Sequence, residues 1–219
     1  MPLRNMIDLT QTMLIGIDIQ NDFCPQGALA VTAGDEIIPI VNRLIESFDQ
    51  VALTQDWHPA GHSSFASTRP DGEPFGEVQM SYGRQTLWPD HCVQGTPGAA
   101  FHRDLNTDAA QLVIRKGFRH AIDSYSAFME NDRHTTTGLA GYLREQKIQT
   151  VVLCGLAFDY CVAYSALDAV TSGFECIVVT DACRSIDLND SAAAAATELS
   201  QKGVKQITSA ALIEQLATV

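Results

Sequence analysis

Residues 150–163 read Thr-Val-Val-Leu-Cys-Gly-Leu-Ala-Phe-Asp-Tyr-Cys-Val-Ala. Thr150 to Leu153 is β-branched and apolar without a charge, the composition of a strand buried on both faces. Gly155 breaks that run, and from Phe158 to Val170 apolar residues return at helical spacing, at Val162, Ala163, Ala166, Leu167 and Val170. The pattern predicts a strand, a break and a helix, with Cys161 near the first helical turn beyond the strand's carboxyl end. Unpaired N–H groups and the positive end of the helix dipole converge there, and both favour a thiolate over a thiol. Cys161 is therefore a candidate nucleophile, set against the plainer reading of a small buried hydrophobe.

Outward from this stretch the same alternation continues. Strands are expected over Met13–Ile19, Gln50–Gln55, Gln111–Arg115, Phe174–Thr180 and Gln206–Thr208. Between them, Gly34–Phe48 carries a helical stripe of Ile37, Ile38, Val41, Leu44, Ile45 and Phe48. Further helices are expected over Thr137–Lys147, the alanine-rich Ser191–Lys202 and Ala210–Ala217. Strand and helix in strict turn predict an α/β fold, a doubly wound, mostly parallel β-sheet with helices on both faces. From Pro59 to about Ala110 regularity disappears. A structureless stretch of that length is usually functional, and its aromatics and histidines argue against disorder, so a long active-site loop region is expected at about 57–110.

The 219 residues suit a single domain spanning 1–219 with a full core. Hydrophobic content of 46% and charged content of 18% are ordinary for a globular protein. Fourteen basic against 26 acidic residues give a net charge of −12, a field that repels nucleic acid and anionic lipid, so neither is an expected partner. The chain opens without an apolar leader, and no apolar run approaches the ~18 residues of a membrane helix, so a cytoplasmic protein is expected. Six cysteines show no Cys-x-x-Cys spacing, which argues against zinc-ribbon and thioredoxin-type sites. Cys154, Cys176 and Cys183 lie in or beside apolar strands and read as packing.

In a doubly wound sheet ligands bind outside the carboxyl ends of the strands. Asp18, Asp56, His58, Lys116 and Cys161 all fall at or just past such ends. A thiol attacking an amide needs a base that takes its proton and returns it to the leaving nitrogen. Asp18 can do this if desolvation raises its pKa, and Lys116 beside both would hold their geometry. Taken singly, Asp18 reads equally as a loop-amide acceptor and Lys116 as a strand-end charge. Asp56 and His58 are two apart on an extended chain and share a face; with His91 they make a two-histidine, one-carboxylate set with room for water and substrate. His62, four residues past His58, is open as a further ligand or a partner behind the ligands. Phe23, Trp88 and Tyr125 lie in loops at the same rim, where a flat ring would fit between them or where they simply pack.

Five motifs carry a resemblance: Ile17-Asp18-Ile19-Gln20-Asn21-Asp22-Phe23, Asp56-Trp57-His58-Pro59, Trp88-Pro89-Asp90-His91-Cys92-Val93, Arg115-Lys116-Gly117, and Gly155-Leu156-Ala157-Phe158-Asp159-Tyr160-Cys161-Val162. Over nearly its whole length the chain resembles the nicotinamidase/pyrazinamidase family within the isochorismatase-like cysteine hydrolases, whose fold is a Rossmann-like three-layer sandwich. The resemblance implies hydrolysis of nicotinamide to nicotinic acid and ammonia through a thioester, in NAD salvage, with pyrazinamide as a further substrate. It implies Cys161 as nucleophile, Asp18 as proton carrier, and Lys116 as the residue that lowers the thiol pKa. One divalent metal ion (zinc, iron or manganese) would be held by Asp56, His58 and His91. The oxyanion hole would be the backbone N–H groups of Ala157 and Cys161 beside a cis Leu156–Ala157 peptide. Phe23, Trp88, Leu156, Ala157 and Tyr125 would contact the substrate. A metal-independent relative acting on a ureido or N-carbamoyl compound or an isochorismate-like ether stays open, as do a non-catalytic scaffold and a redox cysteine. The oligomeric state is open too, a homo-oligomer included.

Overall fold

A computed structural model describes residues 7–216. Its centre is a six-stranded, all-parallel sheet of β1 (Thr12–Ile17), β2 (Val51–Asp56), β5 (Leu112–Lys116), β6 (Thr150–Leu156), β7 (Glu175–Arg184) and β8 (Lys205–Ile207). They run in the order β5-β2-β1-β6-β7-β8. Chain order runs one way from β1 through β2 to β5 and the other way from β6 through β7 to β8. The winding therefore reverses between β1 and β6, where an open parallel sheet leaves a crevice above its carboxyl ends.

Both faces are covered, as the charge-free central strands β1 and β6 require. On one face α1 (Ile38–Ile45) sets Ile38, Val41, Leu44 and Ile45 against Leu14, Leu53 and Val152, with Leu212 of α5 (Ser209–Leu216) in the same core. On the other, α2 (Leu139–Glu145), α3 (Ala163–Thr171) and α4 (Ser191–Gln201) bring Leu139, Leu143, Ala166 and Leu199 onto Ile15, Leu153 and Val178. Each such side chain contributes roughly 1.5–3 kcal/mol when fully buried. Among the described residues no helix is long and apolar enough to cross a membrane.

Three local expectations need correction. Gly155 does not end the central strand, which continues to Leu156. At φ +125° it lets β6 lie so close to β1 that a Cβ would sit 2.1 Å from the Ile17 carbonyl oxygen, and the pairing with β7 slips between Leu153 and Gly155. The glycine marks a close approach of two backbones. The segment after it does not enter an α-helix directly: Phe158–Val162 forms one wide π-turn, Val162 N–H reaching Ala157 C=O at 3.1 Å, before α3 begins. The stretch after β2 is also not wholly irregular. It contains the antiparallel hairpin of β3 (Glu77–Met80) and β4 (Gly83–Thr86), paired from Glu77–Thr86 to Met80–Gly83.

Candidate active site

Four strand ends bring the predicted groups together. Asp18 follows β1, Asp56 ends β2 opposite Lys116 at the end of β5, and Cys161 lies in the π-turn after β6. Lys116, fully buried, is the hub. Its Nζ lies 2.8 Å from Asp18 Oδ2 and donates to Asp56 Oδ1 (3.1 Å), the Ser124 carbonyl (3.0 Å) and Cys161 Sγ (3.4 Å). Four acceptors thus share three N–H groups, and the Asp18 contact, the shortest of them, is a fully buried ion pair. The other oxygen, Oδ1, accepts from Thr54 Oγ1 at 2.6 Å, which fixes the carboxylate plane.

Charge and burial oppose each other here. Burial raises Asp18 above the ordinary carboxylate value against the pull of Lys116. Desolvation would raise Asp56 as well, yet His58 and Lys116 hold it well below that value. Lys116 loses hydration, but the two carboxylates outweigh this and keep it firmly protonated. The thiol corrects the sequence reading. Burial drives Cys161 well above a free cysteine, and the Asp18 and Asp56 charges add to that, with Lys116 pulling the other way and losing. Burial thus works against the thiolate that the turn's position favours, and Lys116 is the group that pulls the thiol back down.

The histidines are oriented from behind. His58 Nδ1 donates to Gly117 O (2.9 Å) and His91 Nδ1 to Pro89 O (2.8 Å). Those carbonyls accept only, so both rings carry a proton on Nδ1 and turn Nε2 toward Asp56 Oδ2, at 3.0 and 3.2 Å. Back-bonding of this kind is how ligating histidines are usually held, with Nε2 left to bind a cation together with the carboxylate oxygen. Asp56, His58 and His91 therefore fit a metal ion by the chemistry of the set. Their backbones are clamped as well. The Gln20 carboxamide accepts Asp56 N–H and donates to Asp56 C=O, both at 2.8 Å, while Asp22 Oδ2 accepts Cys92 N–H at 2.7 Å.

His62 stands behind this set. Its ring lies 4.4 Å from that of His58, Nε2 donates to Arg119 O (2.9 Å), and Nδ1 pairs with Ser64 Oγ (2.7 Å). Both nitrogens are engaged, and it props His58 while tying down the loop after β5.

A narrow cavity opens above Cys161, lined in part by Phe23, Trp88, Tyr125 and Ala157 with Asp56 and His91. Leu156 does not line it; its side chain is fully buried in the α1-side core, against Gly34. The Leu156–Ala157 peptide is cis. Sequence reasoning missed Leu29, Asp123, Tyr160 and Ile186, which complete the lining. Tyr160 adjoins the nucleophile and was within reach of the motif. Asp123 sits in an irregular loop, and only its two-residue distance from Tyr125 pointed to it. Asp123 Oδ1 lies 3.9 Å from His58 Nε2. All six cysteines are free and buried.

A thiol, a buried carboxylate and a buried ammonium at the carboxyl rim of a doubly wound sheet, beside a three-donor metal set, define an α/β cysteine hydrolase. The chain belongs to the isochorismatase family, whose domain matches residues 12–211. It is 53% identical over 196 residues to a nicotinamidase of Acinetobacter baylyi, covering 90% of this chain and 92% of that one. The solved nicotinamidase/pyrazinamidase of Acinetobacter baumanii superposes with a TM-score of 0.92 at 53% identity, covering 93% and 98%. A pyrazinamidase of Pyrococcus horikoshii solved in complex with zinc gives a TM-score of 0.73 at 38% identity, covering 90% and 99%.

Proposed function

We propose that this protein is a nicotinamidase, hydrolysing nicotinamide to nicotinic acid and ammonia, and pyrazinamide likewise, for NAD salvage in the cytoplasm. One observation carries the reading: Lys116 links Cys161, Asp18 and the metal-set residue Asp56 through contacts of 2.8 to 3.4 Å, so nucleophile, base and ring anchor form one unit. The high identity to named nicotinamidases supports the same substrate.

In the reaction Asp18 removes the thiol proton as Cys161 Sγ adds to the carboxamide carbon, with Lys116 holding both groups. The Ala157 and Cys161 N–H groups would donate to the developing oxyanion, a contribution typically worth about 3 kcal/mol per donor. Collapse breaks the C–N bond, Asp18 hands its proton to the nitrogen, and ammonia leaves a thioester on Cys161. Asp18 then deprotonates a water that attacks the thioester, and the proton returns to sulfur as nicotinic acid departs. Asp56, His58 and His91 would hold a divalent ion, which would supply a Lewis-acidic anchor for the ring nitrogen; zinc is the first candidate, given the zinc complex of the Pyrococcus protein. Phe23, Trp88 and Tyr125 flank the ring. The test is ammonia release from nicotinamide by purified protein, with and without a chelator, alongside metal analysis. Activity that is metal-dependent is expected; full turnover by metal-free protein would favour the metal-independent relatives instead.

A further inference from the structure

The β3–β4 hairpin meets solvent over most of its length, and Gln85 is its one buried residue. A buried carboxamide on an otherwise exposed ribbon needs partners, and this one has them on every side. Its Oε1 accepts from Tyr82 OH (3.1 Å) and Asn131 Nδ2 (3.2 Å). The two Nε2 hydrogens face three acceptors in range, Asp123 Oδ2 (2.7 Å), Tyr125 OH (2.9 Å) and the hairpin's own Thr86 carbonyl (2.8 Å), so one of them is shared. The carboxylate and the carbonyl accept only, so the amide has one orientation; the flipped form would set its oxygen against Asp123.

The residues so gripped form the cavity wall. Asp123, Tyr125 and Trp88 all line it, and Trp88 Nε1 donates to the same Tyr125 hydroxyl at 3.1 Å. Asn131 extends the network by accepting Tyr125 N–H on Oδ1 at 3.1 Å. None of these contacts involves Asp18, Lys116 or Cys161 directly. Gln85 therefore bears on where the ring rests, apart from the groups that break the bond.

We propose that Gln85 is a positioning residue for substrate selection: through its carboxamide the hairpin docks onto Asp123 and Tyr125 and fixes a wall spacing that admits a flat, unsubstituted six-membered ring. The substrate part rests on the nicotinamidase reading; the docking part rests on geometry alone.

The test compares wild type with Gln85→Met, which keeps the side-chain length and loses the amide, and Gln85→Glu, which sets a second carboxylate against Asp123. Both variants are expected to raise KM for nicotinamide at least about tenfold while kcat stays within about threefold, the pattern of lost ground-state positioning. Discrimination against a ring-methylated nicotinamide should fall in the same variants. Amide hydrogen exchange in the metal-loaded protein should quicken across residues 118–131 and the hairpin, leaving the central strands unchanged. Equal losses in kcat with KM unaltered, or exchange that quickens throughout the sheet, would show a merely structural role and overturn the proposal. Unchanged KM and unchanged exchange would do so as well. If wild type releases no ammonia from nicotinamide, the substrate claim falls, and the exchange comparison alone decides the docking.

Discussion

Asp56 and Lys116 meet at 3.1 Å, Oδ1 to Nζ, from paired positions on β2 and β5. The other oxygen of the same carboxylate faces both histidines, so one side chain belongs to the proton-transfer cluster and to the metal set together. Charge placed on either side of Asp56 is felt on the other, because burial leaves no solvent to screen it.

That shared burial makes Lys116 the most sensitive position for stability. Lys116→Met leaves Asp18 and Asp56 without their common countercharge, and breaking a buried pair from one side costs about 3–5 kcal/mol. Denaturant unfolding should show the loss, with a smaller deficit at low pH, where the orphaned carboxylates take up protons.

Cys161→Ala removes the attacking atom and leaves the wall and the metal set in place. Turnover should drop by more than about 10³-fold while nicotinamide and metal still bind. Single-turnover assays and calorimetric titration of the same preparation separate the two, and activity near wild type would remove the covalent route.

The pH profile follows from the direction of two shifts. Asp18 acts as base only when ionised, and burial raises its pKa above the ordinary aspartate value of about 3.9. The acid limb of kcat/KM should therefore lie above that value, activity rising with pH as Asp18 loses its proton. Lys116 is held well above an ordinary lysine, so its deprotonation should not set an alkaline limb in the neutral range. Stopped-rate measurements from acid to mildly alkaline pH test both statements.

His91→Ala deletes one of three electron-pair donors. Metal content should fall well below one ion per chain, with KM for nicotinamide rising more steeply than kcat declines. Elemental analysis after dialysis decides it, and unchanged metal content would point to another third ligand.

Gly117 governs the other histidine. Its φ is +67°, and a Cβ there would stand 2.5 Å from His58 Cε1. Gly117→Ala should cost about 1–2 kcal/mol from the left-handed backbone alone. Displacing His58 and its Gly117 carbonyl partner should also weaken metal affinity by about 10–100-fold. Competition with a chromogenic chelator measures that second effect independently of catalysis.

The parallel sheet and its reacting rim were legible because they rest on strong local signals. Val151 to Leu153 has no charge to expose, Asp18 and Asp56 each follow such a run and Lys116 stands two past the apolar Leu112–Ile114, so the rule for strand ends was enough to gather them. The hairpin was not legible for the opposite reason. Glu77-Val78-Gln79-Met80 does alternate, but its apolar residues are only half-buried and the run is as short as a loop. Gln85 and Asp123 acquire meaning only through each other, 38 positions apart, and nothing in either neighbourhood announces the pairing. The burial that opposes the Cys161 thiolate was not legible either, because helix-terminus reasoning counts the dipole and not the desolvation.

The ladder connecting these strands carries a last consequence. Asp56 faces Lys116 and Ile17 faces Gly155 in fixed parallel register. Side chains alternate between faces with a period of two, so a slip of one residue in any of these strands would turn its functional group to the opposite side of the sheet. Misassembled chains should then be silent instead of feebly active. Specific activity per milligram would serve as a direct count of correctly threaded molecules after refolding.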